Sequence, residues 1–86
     1  MFLLKRKIPN MSPDDKNNVK LGMLQGVKSE TLKCYRKGMS VDQILAPSYS
    51  NKDFMLILQY LGVDKDKLKE IVEGYIQEEL NGKFNN

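Results

Sequence analysis

The side chains able to carry covalent or acid–base chemistry are few in this chain, and they are scattered. There is one cysteine and no histidine. Cys34 therefore lacks the usual imidazole base, and so does any serine offered as a nucleophile. Lys33, Arg36 and Lys37 lie close to Cys34 in sequence and could lower its pKa. Without a base, the thiol reads as an ordinary small side chain. Ser12-Pro13-Asp14-Asp15 could suggest a cation site, but no further ligands arrive at useful spacing. Asp64-Lys65-Asp66 opens like a calcium loop, yet Lys69 stands where the glycine belongs and Tyr75 where the bidentate glutamate belongs. A lone cysteine without histidine excludes an ordinary zinc site. Gly22 and Gly26 match neither common phosphate-loop spacing. The expectation is a protein that is not an enzyme, with no catalytic, cofactor-binding or metal-ligating residue and no cofactor.

Binding is the chemistry that remains. Net charge is +3, but residues 1–38 hold nine Lys/Arg against three Asp/Glu, whereas residues 39–86 hold five against eight. The basic front half could face an anionic partner such as nucleic acid. Lys5, Arg6 and Lys7 would reach phosphates from an N-terminal arm, and Lys33, Arg36 and Lys37 from a basic helix end. A helix-turn-helix reading takes 41–46 as the first helix, 47–50 as a four-residue turn and 51–61 as the recognition helix. It offers Asn51, Lys52 and Gln59 to base edges. Its chemistry is poor. Asp53 would repel phosphate, and twelve of the fourteen basic residues are Lys, whereas base recognition favours Arg.

The competing reading rests on Phe54-Met55-Leu56-Ile57-Leu58-Gln59-Tyr60-Leu61. On a helix advancing about 100° per residue, Leu58 and Leu61 fall within roughly 40° of Phe54. Met55 then lies near 100°, Leu56 near 200° and Tyr60 near 240° on the same ~100° advance, so apolar residues occupy most of the circumference. A small helical domain has too few other apolar side chains to cover both flanks. Met55, Leu56 and Tyr60, extended by Tyr75 and Ile76, are therefore the candidate protein-binding residues. The partner would be another protein or a second copy of this chain, and the function that of a small non-catalytic regulator. DNA binding is the alternative.

Local signals supply the elements that must position these groups. Ser12, Pro13 and two aspartates start a helix expected to stop near Gln25-Gly26. Ser29 caps a second short helix that Gly38 terminates. Ser40 with Gln43 forms a capping box, with Met39 as a staple on Ile44, and Pro47 should end that helix by Ala46. Ser50 caps the central helix, and Gly62 closes it with Val63 folding back on Leu58. Asp64 caps the last helix, in which Leu68, Ile71, Val72, Tyr75, Ile76 and Leu80 recur at three- and four-residue intervals. Glu79 falls on that apolar face and requires a cation opposite, for which Arg36 is the candidate, or exposure.

The fold expected is all-α: a small bundle of four to five helices with a C-terminal helical hairpin and an extended N-terminal arm. Residues 1–11 are the arm, 12–82 a single helical domain and 83–86 a frayed tail. No apolar run approaches the roughly 18 residues that span a bilayer, so no membrane partner is expected. Met1-Phe2-Leu3-Leu4 is too short for a signal-peptide core, and basic residues follow it rather than precede it. The default location is cytoplasmic.

Overall fold

The computed structural model describes residues 11–85. They form four helices: α1 (Pro13–Arg36), α2 (Val41–Ser50), α3 (Lys52–Tyr60) and α4 (Lys65–Asn85). Among the described residues there is no strand. The expected arm lies outside the described residues except for Met11, which packs against Ile57 and Leu61.

Each helix begins where a side chain satisfies its free amides. Ser12 Oγ accepts from the Asp15 amide at 3.2 Å. Ser40 and Gln43 form both bonds of the capping box: the Ser40 amide donates to Gln43 Oε1 at 2.9 Å, and the Gln43 amide to Ser40 Oγ at 3.2 Å. Asp64 Oδ1 accepts from the Lys67 amide at 2.8 Å. Two helix ends use a left-handed glycine, Gly38 at φ 89° and Gly62 at φ 84°. After Gly62 the Val63 amide reaches back to the Leu58 carbonyl at 2.8 Å, and after Gly38 the Met39 amide reaches the Cys34 carbonyl at 3.2 Å. Both are the six-to-one bond of a Schellman turn, a geometry in which an L side chain would be strained.

Five expectations need correction. α1 is continuous where the sequence predicts two helices broken at Gly26. Met23, Val27, Cys34 and Tyr35 all pack on one cluster, and Thr31 between them is buried, so both halves present one in-phase face. That packing outweighs the roughly 1 kcal/mol that each of Gly22 and Gly26 costs relative to alanine. α2 continues through Pro47 to Ser50. Pro47 is exposed, and the turn beyond it is held by Tyr49, whose hydroxyl donates to the Lys65 carbonyl at 3.3 Å while the Lys65 ammonium lies 4.7 Å from its ring centre. Because Ser50 still belongs to α2, Asn51 becomes the cap of α3, its Oδ1 accepting from the Phe54 amide at 3.1 Å. α4 passes Gly82, where the helical domain is expected to end, and runs to Asn85.

The fifth correction concerns the hairpin. α4 packs most extensively along α1 and then along α2, while the main neighbour of α3 is α2. The central and last helices are therefore consecutive without forming a packed hairpin. The main core joins Ile44 and Leu45 of α2, Leu58 of α3, Val63, and Leu68, Val72 and Ile76 of α4. A second, smaller cluster joins Ile57 and Leu61 to Met11, Val19 and Met23. The molecule measures 43 × 26 × 18 Å, and the 24-residue α1 spans about 36 Å at 1.5 Å per residue.

Candidate protein-binding face

α3 buries Ile57 and Leu58 in two different clusters and leaves the rest of its surface partly or fully open. Ile57 faces the small cluster and Leu58 the main core, both fully buried. Phe54 and Met55 are half-buried and pack against the main core, so Met55 is partly committed to the interior. Leu56 is half-buried, and Tyr60 is 45% exposed. These two lie four residues apart, one turn along the same stripe. They are the apolar part of the open side of α3, which Lys52, Asp53 and Gln59 share.

The remaining candidates on α4 belong elsewhere. Ile76 is a core residue, 8% exposed, and offers no docking surface. It lies on the same stripe as Leu68 and Val72, which α1 and α2 cover. Tyr75 is half-buried beneath α1: its hydroxyl donates to the Leu24 carbonyl at 3.3 Å, and the Lys28 ammonium lies 5.6 Å from its ring centre. Burial raises the Tyr75 pKa, and Glu78 adds to the shift.

The nucleic-acid candidates are not assembled into one surface. Lys5, Arg6 and Lys7 lie outside the described residues. Lys33 and Lys37 are exposed near the end of α1. Arg36 instead donates to Glu79 Oε2 at 2.8 Å, supplying the cation that the glutamate's position on the apolar face demands. The Glu79 side chain retains 17% exposure, against 59% for Arg36. Asn51 spends its side chain on the α3 cap, while Lys52 and Gln59 are exposed. The four-residue turn expected between 46 and 51 is absent, because α2 and α3 are separated by Asn51 alone.

Sequence reasoning missed Leu21, which is 52% exposed. Its signal was present: on the continuous α1 it projects roughly 100° from the line through Val27 and Thr31, out of phase with the buried face. Between α1, α2 and α4 lies a cavity of about 30 Å³ lined by Val27, Glu30, Thr31, Ile44, Leu45, Ser48 and Val72. It has room for a water or two and not for a metabolite. Among the described residues no group of three His, Cys, Asp or Glu is placed to hold a metal ion. No helix of the described residues is long and apolar enough to cross a membrane.

Cys34 is half-buried on α1, and its thiol donates to Glu30 Oε1 at 3.5 Å. Burial is the largest cause of a raised thiol pKa, followed by the hydrogen bond and charge of Glu30, which outweigh Lys33 and Lys37. The phenol of Tyr49 is also pushed up, by burial first and then by Asp66, Asp42 and Glu73. With Tyr75, three acids thus hold their protons more tightly in the folded chain than in the unfolded one. Their contribution to stability is complete below the unfolded values, about 8.5 for a thiol and about 10 for a phenol, and is lost as pH rises through the folded ones. Urea midpoints should fall on going from pH 8 to pH 10.5, and Tyr49→Phe and Tyr75→Phe together should flatten that fall. An equally steep fall in the double variant would remove the phenols as its cause.

In comparison with known proteins, no protein-family model, no curated protein and no solved structure matches this chain.

Proposed function

We propose that this chain is a small non-catalytic regulator that acts by binding protein, and that Leu56 and Tyr60, flanked by Met55, form the contact. The observation that carries this reading is Tyr60. An aromatic side chain 45% exposed, one turn from a partly open leucine, stands on a helix whose Ile57 and Leu58 are fully buried. Tyr suits an interface because its ring supplies contact area at low conformational cost while its hydroxyl keeps a polar partner. A second copy of the chain is the first partner to test.

Replacing Leu56 and Tyr60 together by aspartate should abolish association while leaving helical circular dichroism and the urea midpoint nearly unchanged, because both side chains already reach water. Sedimentation mass across a concentration series reads the first effect. Unfolding of the double variant would make these positions core and end the docking reading. A wild-type chain that stays monomeric at high concentration would exclude the self-association form and direct the search to a different protein. The DNA alternative has a separate readout: anisotropy of a labelled duplex at two salt concentrations. Salt-sensitive binding at micromolar protein would favour it, and no binding would remove it.

A further inference from the structure

We propose that residues 13–25, the N-terminal half of α1, act as a strap that opens about the Gly26–Ser29 stretch while the rest of the molecule stays folded. The two halves of α1 are held unequally. Among the described residues, every ion pair or side-chain hydrogen bond from α1 to another helix starts at Leu24 or beyond: Tyr75 to the Leu24 carbonyl at 3.3 Å, Lys28 to Glu78 at 3.6 Å, and Arg36 to Glu79 at 2.8 Å. Val27, Cys34 and Tyr35 also join the main core, and Thr31 is 1% exposed. The earlier half has a single such tie, the Tyr75 bond to the Leu24 carbonyl near its end, and is otherwise held by packing, through Val19 and Met23 on the small cluster of Ile57 and Leu61, with Met23 also reaching the main core.

The backbone between the halves favours parting there. Gly22 and Gly26 are helical glycines whose added Cβ would meet nothing within 4 Å, so no close approach requires them. Each weakens the helix by about 1 kcal/mol relative to alanine. Ser29 supplies the side chain that caps a helix starting at Glu30, so residues 30–36 can remain helical when the preceding turns release. Opening of a segment with few apolar contacts and low local helix propensity lies at the low end of the free-energy range for sub-global unfolding.

What the strap covers gives the opening a use. Ile57 is fully buried and Leu61 is 8% exposed beneath Met11, Val19 and Met23. Release of the strap together with Met11, which precedes it and packs on the same pair, would join them to Leu56 and Tyr60 as one apolar face along α3 and its C-cap residue Leu61. Such a face accepts an apolar helix in place of the one that left. The strap would then compete with the partner for the same side chains. This role rests on the docking reading above, whereas the opening itself rests on how sparsely the first half of α1 is tied to the other helices.

Native-state hydrogen exchange on the full chain tests the opening. Amides 17–25 should exchange at least about tenfold faster than amides 30–36 and 68–76, sharing one opening free energy and one denaturant dependence. Equal protection throughout α1 would overturn the proposal. So would protection that climbs residue by residue from position 17, the pattern of end fraying. A second measurement uses thiol labelling in a Cys34→Ser background. Ile57→Cys should react with a disulfide reagent at least about tenfold faster than Leu68→Cys, relative to each variant's own unfolding rate. Equal relative rates would mean that both sites open only by global unfolding, and the proposal would fail. Neither measurement involves a partner, so a failed strap and a failed docking face give separate results.

Discussion

Leu58→Ala should lower the free energy of unfolding by roughly 2–5 kcal/mol, the range for a buried leucine whose site cannot collapse around the loss. Leu58 is fully buried where α3 meets the main core, among side chains from α2 and α4 and next to Val63. Its carbonyl also receives the Val63 amide at 2.8 Å, so the backbone on which a repacking would pivot is itself fixed by the Gly62 turn. A domain of this length has a total stability of about 4–13 kcal/mol. The substitution therefore removes a large fraction of it and should shift the urea midpoint sharply at constant slope. A change below about 0.5 kcal/mol would contradict the placement of Leu58 at the centre of the core.

Gly22→Ala combined with Gly26→Ala should act in the opposite direction, raising stability by about 1–2 kcal/mol and the melting temperature by about 4–8 °C per kcal/mol. Both residues are inside α1 with helical backbone angles, and nothing stands where the new methyl groups would go. Alanine narrows the unfolded ensemble without disturbing a contact. The same change at Gly62 should destabilise by roughly 1 kcal/mol or more, because φ is 84° there and a Cβ crowds the following carbonyl. Calorimetry on the two variants checks the pair of signs. A destabilised Gly22→Ala/Gly26→Ala protein would show that the glycines meet something on the outer face of α1.

These cases show which parts of the fold the sequence displays. Signals confined to four or five residues are legible: the Ser40–Gln43 box, the Asp64 cap and the Gly62 turn all appear as read. So is one long-range inference, the pairing of Arg36 with Glu79, because a carboxylate on an apolar stripe admits few arrangements. What escapes is the outcome of competition between a local breaker and distant packing. Gly26 and Pro47 carry ordinary stop signals, yet α1 is continued by Met23, Val27 and Tyr35 on one core, and α2 by Tyr49 on Lys65. The candidate face divides in the same manner. The outward position of Tyr60 is visible on a helical wheel. The burial of Ile76 depends on which helices cover α4, and that follows from α1 being one long helix rather than two short ones.

The 18 Å short axis has a consequence of its own. A helix with its side chains is about 10–12 Å across, so along that direction there is room for no more than two layers. No helix in such a slab can be walled in on every side, and each keeps a wetted edge. Mutational tolerance should therefore alternate along every helix rather than rise from the centre of the chain toward its ends, with permissive positions recurring about once per turn even within the most apolar segment.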